Sequence, residues 1–274
     1  MRTKIILIWT LLVGLSFGPA AGCSTTKGAA DKAAGAAANV LLPPEQEEQL
    51  GDEFSAEIEG ETDPVADEAA QAYIDRLGKL AVQSARDDVP KGIKFEFSLI
   101  DAPDTVNAFA GPGGQVYFYS GLLLQADSTA EVLAVMCHEV AHVTQRHIAK
   151  RLVTTYGVQA LASAALGRNP GLVAQLGASV ATQGFLLKYS RDAESQADRA
   201  GFQYMLKTGY DPHGFISFFE KIAGAGPSPP QFLSTHPNPK NRIRAIRGYI
   251  SEASTVSDNR GVEEHQQIVE RLRK

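Results

Sequence analysis

Apolar residues recur at every fourth position in the first helical stretch after the N-terminal region. Leu50, Phe54 and Ile58 therefore fall on one face of a helix, and acidic residues occupy the other faces. Residues 45–75 hold twelve acidic residues and no lysine or arginine. We interpret these acids as the solvated side of the helix rather than as a binding patch for basic partners.

The pattern then changes from helical to strand spacing. Asp63-Pro64 has the residue types of an N-cap and a first helical position, which predicts a second helix to about residue 85. Apolar and polar residues alternate over 93–100, which predicts a strand. Residues 107–110 and 115–120 predict two more strands around the Gly-rich turn 111–114, which lacks the Lys-Ser/Thr of a phosphate loop. We expect a mostly helical α+β fold with a small sheet.

The next helix carries the clearest chemistry. Ser128 is a candidate N-cap, and Glu131 completes a capping box ahead of an apolar run. His138 and His142 are four residues apart, so both rings lie on one face of a helix that turns about 100° per residue. With Glu139 they form H-E-x-x-H, in which two histidines bind zinc and the glutamate acts on water. The alternative is a chance pentapeptide with two ordinary histidines.

A third metal ligand must come from elsewhere, because catalytic zinc takes three protein ligands and one water. One class of H-E-x-x-H enzymes places Gly and His shortly after the motif, but Gln145 and Ile148 occupy those positions here. Another class takes a glutamate from a later helix. Glu194 is the candidate, and Asp198, one helical turn on, would accept a hydrogen bond from a ligand histidine. The alternative is a solvated charged helix.

Several separated motifs extend this pattern over roughly residues 45–250. They are Asn107-Ala108-Phe109-Ala110, Gly113-Gly114, Gly121-Leu122-Leu123, His138 through His147, Glu194 with Asp198, Ser234-Thr235-His236-Pro237, and Arg242. Together they resemble the zinc metallopeptidase family of the CAAX prenyl proteases, HtpX and the mitochondrial Oma-type enzymes. Within that family the chain is most similar to the periplasmic lipoprotein branch of β-barrel assembly-enhancing proteases.

The resemblance implies a gluzincin-type core with a small β-sheet beside the zinc-binding helix. It implies His138, His142 and Glu194 as ligands of one Zn²⁺ per chain, and Glu139 as the catalytic carboxylate. The implied activity is hydrolysis of peptide bonds in misfolded or unassembled proteins, outer-membrane proteins among them. One rival function is a zinc-stabilised, chaperone-like assembly factor with little turnover. A second is an esterase or other hydrolase that uses the same zinc-bound water.

The small sheet offers a place for an extended substrate. A peptide can add to an exposed sheet edge through backbone hydrogen bonds, which aligns the scissile bond without demanding a particular sequence. The candidate edge, and hence the candidate substrate-binding set, is Asn107, Ala108, Phe109 and Ala110. An ordinary buried hairpin is the alternative.

The resemblance also places His236 and Arg242 near the site, as candidates to stabilise the oxyanion. His236 follows a loop at 225–231 that is rich in proline and glycine. It is also a candidate fourth metal ligand, which would close the site and silence the enzyme. A surface histidine before a proline is the alternative.

We predict no direct chemical role for the remaining histidines or for the internal cysteine. His147 lies roughly 140° around a continuous helix from His142, so we expect it to be structural or to support a ligand. We expect His213 and His265 at the surface. Cys137 is interpreted as a small buried apolar residue.

The N-terminus resembles an export signal. Residues 1–22 have a charged start, a short apolar stretch and small residues before Cys23, which predicts a signal peptide and a lipidated cysteine. Ala20 departs from the usual leucine of that motif, and ordinary secretory cleavage after residue 22 is the alternative. Ser24 is not the aspartate linked with inner-membrane retention, so we expect a periplasmic protein anchored by lipid at the outer membrane.

Composition bounds the remaining organisation. The chain has 274 residues and a net charge of −5, which argues against nucleic acid as a main partner. We expect a flexible tether at 23–42, a metallopeptidase domain at 43–250 and a polar C-terminal tail at 251–274. Residues 158–187 predict a helical hairpin whose apolar pieces are too short to cross a bilayer.

Overall fold

The computed structural model describes residues 42–155, 189–224, 230–237 and 239–274. The expected signal peptide, Cys23, nearly all of the tether, the hairpin at 158–187 and most of the loop before His236 lie outside the described residues. In chain order the helices are α1 (Pro44–Glu61), α2 (Glu68–Ser84), α3 (Ser120–Gln125), α4 (Thr129–Thr144), α5 (Arg191–Thr208), α6 (Gly214–Ala223), α7 (Phe232–Thr235), α8 (Pro239–Glu252) and α9 (Val262–Leu272), and residues 147–155 are also helical. The strands are β1 (Glu96–Ile100), β2 (Ala108–Ala110) and β3 (Gln115–Tyr119). The expected mostly helical α+β fold is confirmed.

The first helix forms as its apolar spacing predicts. Leu50, Phe54 and Ile58 are all buried along α1, and the acids between them face outward or lie half-buried. α1 packs against the Gly-rich turn between β2 and β3. The acids between these apolar positions are thus the outer side of an amphipathic helix, whereas Glu47, near its start, is buried and pairs with Arg146.

The second helix begins later than predicted. α2 starts at Glu68, with the Asp67 side chain accepting a hydrogen bond from the Ala70 N–H at 2.9 Å. The predicted start at Pro64 is wrong because this segment is extended: Pro64 forms an antiparallel bridge with Ile100. The edge of β1 therefore forms backbone hydrogen bonds with this extended segment, which a helical turn could not form.

The sheet is small and mixed. Its strand order is β1-β3-β2, with β1 parallel and β2 antiparallel to β3. β1 is shorter than the predicted 93–100. The turn between β2 and β3 needs glycine at Gly113 and Gly114, whose φ angles of 74° and 95° lie in the left-handed region.

The helix that carries H-E-x-x-H lies at the centre of the molecule, and every residue of α4 is buried. Ser128 caps it, because its side chain accepts a hydrogen bond from the Glu131 N–H at 3.3 Å. The Glu131 carboxylate reaches the N–H of Asp127 rather than that of Ser128, and it pairs with Lys221 at 2.9 Å. The capping box therefore forms with its second half displaced by one residue.

The C-terminal segment is part of the packed body rather than a free tail. α9 packs on α2, α3 and α4, and its His265, Ile268 and Val269 are buried. The prediction that His265 lies at the surface is wrong, because its Nε2 bonds to the backbone carbonyls of Leu123 and Ala126, both at 3.0 Å. Among the described helices, none combines the length and apolar character that crossing a membrane requires.

Candidate metal centre

Two histidines of α4 meet a carboxylate of α5 in the interior. His138 Nε2 and His142 Nε2 are 3.0 Å apart. Glu194 Oε1 lies 3.5 Å from His142 Nε2, and its Oε2 lies 3.7 Å from His138 Nε2. The helices approach closely because α5 has a glycine where they touch: a Cβ added at Gly201 would lie 3.0 Å from the carbonyl oxygen of Cys137. Residues 56 positions apart along the chain are thereby brought into one cluster.

His236 contributes a fourth donor atom to the cluster. Its Nδ1 lies 3.3 Å from His138 Nε2 and 3.1 Å from Glu194 Oε1. The His236 ring stacks on Phe232 with centroids 4.3 Å apart, and the backbone N–H of His236 donates to the Phe232 carbonyl at 2.8 Å. The ring is fully buried, so the alternative of a surface histidine is excluded.

Four of the six distances among these donor atoms match a tetrahedral metal site, and all of the atoms lie within 4.8 Å of one another. Ligands at about 2.0–2.1 Å from one ion lie about 3.3–3.4 Å from each other in a tetrahedron. The nearest donor separations here are between 3.0 and 3.5 Å. The charges favour a cation as well, because Glu194 and Asp198 are two buried carboxylates that share one guanidinium, that of Arg242, and Glu139 is a third buried carboxyl group.

The protonation states favour metal binding. Burial lowers the pKa of His138 to about 4, with Arg242 acting in the same direction, and burial holds the pKa of His142 well below its usual value. Neutral imidazoles keep a free ring nitrogen for a metal. Burial alone would raise the pKa of Glu194, but Arg242 and His236 outweigh it and hold that pKa well below the ordinary value. Two neutral rings and one ionised carboxylate therefore face each other. His236 differs from the other two histidines: burial lowers its pKa, but Glu194 and Glu139 outweigh burial and raise that pKa above the ordinary value.

Glu139 points into the same space without joining the donor set. Its Oε1 lies 3.4 Å from His236 Nε2, and the side chain is fully buried. Among the described residues, neither of its carboxylate oxygens has a hydrogen-bond partner of good geometry, although the backbone N–H of Ala110 approaches closely enough to lower its pKa. Burial raises the pKa of Glu139 to about 7, against the opposing effect of His236. A carboxyl group with a pKa near neutrality can both accept and release a proton at pH 7.

Arg242 and Asp198 form a layer behind the donor set. Arg242 donates from Nε and Nη2 to the two Asp198 oxygens at 2.8 and 2.6 Å, and its Nη1 lies 2.7 Å from Glu194 Oε2. Asp198 Oδ1 also lies 3.1 Å from His138 Nδ1. The sequence offers Arg242 as an oxyanion donor, but its guanidinium faces two carboxylates. It is placed to hold Glu194 and Asp198 in position.

The edge strand β2 turns part of its backbone away from the sheet. The Tyr119 N–H donates to the Asn107 carbonyl at 3.1 Å, and the two-residue period of an antiparallel ladder then directs the backbone groups of Phe109 toward β3. Those of Ala108 and Ala110 face the outer edge. The Asn107 side chain is fully buried, and within the described residues neither its oxygen nor its nitrogen has a partner. The backbone groups of Ala108 and Ala110 thus lie outside the β2–β3 ladder, while all three residues of β2 are buried, as in the alternative of a buried hairpin.

Comparison with known proteins identifies the family. The family model described as Peptidase family M48 matches residues 68–250. The chain belongs to peptidase family M48. It is 31% identical over 265 residues to the Beta-barrel assembly-enhancing protease of Escherichia coli strain K12, a match that covers 92% of this chain and 53% of that protein. The chain thus spans about half the length of the curated relatives that it matches.

Two further relatives of this M48 chain come from other organisms. It is 34% identical over 227 residues to the Putative beta-barrel assembly-enhancing protease of Vibrio cholerae, covering 78% of this chain and 46% of the relative. It is 34% identical over 189 residues to the Mitochondrial metalloendopeptidase OMA1 of Schizosaccharomyces pombe, covering 66% of this chain and 53% of the relative.

One aromatic contact in this M48 chain was missed by sequence reasoning. The ring of Tyr189 stacks on His142 with centroids 3.8 Å apart, and the backbone N–H of Tyr189 donates to the Thr235 carbonyl at 3.1 Å. Tyr189 thus links a candidate ligand to the residue before His236. One feature of the sequence could have pointed to Tyr189. It directly precedes Ser190, which is the N-cap of the helix that carries the candidate carboxylate.

Proposed function

We propose that this chain is a zinc-dependent endopeptidase of the bacterial cell envelope. The observation that carries the proposal is the convergence of His138, His142 and Glu194 beside the unpartnered carboxylate of Glu139. Two histidines and a glutamate are a recognised ligand set of catalytic zinc. The names of the relatives, a protease and a metalloendopeptidase, support the same reading.

In the proposed mechanism the protein residues handle the protons. When bound, zinc would polarise the scissile carbonyl and lower the pKa of a coordinated water toward ~7. Glu139 accepts the water proton during attack and later delivers it to the leaving amine, for which its pKa of about 7 is suited. Asp198 holds the His138 ring through Nδ1, and Arg242 holds both carboxylates.

We further propose that His236 makes this arrangement a resting one. Four protein donors would leave a tetrahedrally coordinated ion without a position for water, so turnover would require His236 to leave the donor set. Its other ring nitrogen lies 3.4 Å from Glu139 Oε1, so a modest displacement keeps His236 beside the reaction centre. From there it is the better candidate of the two to donate to the oxyanion, because Arg242 is engaged with carboxylates.

The proposed substrate is an extended polypeptide on the outer edge of β2. Ala108 and Ala110 offer backbone groups there, and the unpartnered amide of Asn107 can bond a peptide group. Phe109 packs its ring on Tyr117 with centroids 5.1 Å apart, which holds β2 against β3. Backbone pairing of this kind suits misfolded or unassembled proteins, because it requires no particular sequence.

The location is proposed from the N-terminal sequence and from the relatives. A signal peptide at 1–22, a lipidated Cys23 and a tether at 23–42 would hold the domain at 43–250 in the periplasm at the outer membrane. The name of two of the relatives, β-barrel assembly-enhancing protease, supports outer-membrane proteins as substrates. Nucleic acid is not among the proposed partners.

Glu139→Gln tests the catalytic proposal. The amide has the shape of the carboxylate but cannot take the water proton, so cleavage of an unfolded protein should fall by about 100-fold or more. Zinc content, measured on the same samples, should stay at one ion per chain. A small ester assayed in parallel separates a peptidase from a general esterase. Undiminished proteolysis by this variant would refute the assigned role.

The closed donor set gives the assembly-factor alternative a specific basis, since a site with four protein ligands turns over poorly. His236→Ala separates the two functions. A latent protease should cleave faster when the fourth donor is removed, whereas an assembly factor should gain no proteolysis and should keep its biological activity in Glu139→Gln.

A further inference from the structure

Both α4 histidines have a partner on the ring nitrogen that faces away from the donor cluster, and the two partners differ. His138 Nδ1 faces the Asp198 carboxylate at 3.1 Å. His142 Nδ1 instead faces His147 Nδ1 at 3.0 Å, and His147 Nε2 lies 3.2 Å from Gln196 Oε1. The first histidine therefore has a charged partner, and the second has a chain of two neutral groups.

The orientation of the Gln196 amide, with its oxygen toward His147, selects one order of protons along this chain of hydrogen bonds. The amide oxygen of Gln196 only accepts, so His147 carries its proton on Nε2 and leaves its Nδ1 bare. A bare Nδ1 accepts from His142, which then carries its own proton on Nδ1 and leaves Nε2 bare. The bare Nε2 of His142 is the atom that faces the donor cluster. With the reverse proton order, His142 would carry a proton on the nitrogen that must bind the metal.

A break in the helix places His147 for this contact. Arg146 has a φ of 58°, in the left-handed region that non-glycine residues rarely adopt, and α4 ends just before it. Its side chain is held by Glu47 at 2.9 Å. In a continuous helix His147 would point about 140° away from His142. The break brings the two rings to a centroid distance of 5.0 Å.

We infer that Gln196 is a positioning residue that acts through His147 to hold His142 in the tautomer whose Nε2 is free for a metal. The inference deepens the proposed function and rests on its metal site. α5 then has three roles. Glu194 is a ligand, Gln196 lies behind His142, and Asp198 lies behind His138. One helix thus supplies a ligand and orients both histidines.

The unaltered chain tests the proton order directly. In zinc-loaded protein labelled with ¹⁵N at histidine, long-range ¹H–¹⁵N correlation spectra report which ring nitrogen carries hydrogen. We expect His147 as the Nε2–H tautomer. If zinc binds and His147 is protonated on Nδ1, the inference is overturned while the proposed function stands. If the unaltered chain binds no zinc, the metal site fails and the inference fails with it.

Two substitutions at one position separate orientation from packing. Gln196→Met keeps the length of the side chain but removes the acceptor, and Gln196→Glu keeps an acceptor oxygen. Competition with a chelator should show zinc affinity lowered about 10–100-fold in Gln196→Met and retained in Gln196→Glu, with the His147 tautomer lost only in the first. Equal zinc affinity in the two variants would overturn the inference. Should Gln196→Met fail to fold, the spectrum of the unaltered chain still decides.

Discussion

Replacing Gly201 by alanine should push α5 away from α4 at the metal centre. The added Cβ would lie 3.0 Å from the Cys137 carbonyl oxygen and 3.1 Å from the His138 backbone nitrogen, and neither backbone atom can rotate aside. Overpacking of this kind costs about 1–3 kcal/mol, whereas the better helix propensity of alanine returns about 1 kcal/mol. Overpacking is the larger effect, so we expect the free energy of unfolding to fall by about 1 kcal/mol. Zinc affinity should fall as well, because Glu194 moves with α5.

Urea unfolding followed by circular dichroism measures this change, since the single tryptophan, Trp9, lies in the expected signal peptide. Gly248→Ala in α8 is the matched control. In the described part of the chain, a Cβ added there would meet no heavy atom within 4 Å, so this variant should gain about 0.5–1 kcal/mol. If Gly201→Ala gains stability as Gly248→Ala does, the two helices do not approach as closely as described.

Two further substitutions test the buried charges. Arg242→Met strands the Glu194 and Asp198 carboxylates and should cost about 3–5 kcal/mol of unfolding free energy without metal; zinc should recover part of this, since a cation replaces the lost charge. Arg247→Met, which breaks an exposed pair with Glu220, should cost at most about 1 kcal/mol, and an equal loss in both variants would contradict the buried network. Burial lowers the pKa of His265, so this side chain binds fewer protons in the folded state than in the unfolded state. Its contribution to the free energy of unfolding is therefore fully present above a pH of about 6.5 and should decline as the pH falls below that value. His265→Gln should reduce this slope in unfolding measured from pH 7.5 to 5, and an unchanged slope would assign the acid sensitivity elsewhere.

Local patterns determined what lies within single elements. The four-residue spacing of Leu50, Phe54 and Ile58 specified the buried face of α1, because a helix repeats every 3.6 residues whatever it packs against. The same regularity put His138 and His142 on one face of α4. Ser128 specified where α4 begins, since a cap bonds only to the backbone of its own first turn.

Tertiary packing decided what depends on residues far apart in the chain. His236 reaches the donor set from 98 positions after His138, and its loop has no periodicity that could indicate this. Both Asp63 and Asp67 are possible N-caps for α2, and the helix begins at Glu68 because the segment before Asp67 pairs with β1. His265 is buried because α9 has an apolar face to cover, and spacing alone cannot say which surface covers it. Sequence by itself therefore determined the chemistry of each element, while the contacts between elements decided how many donors meet and what orients them.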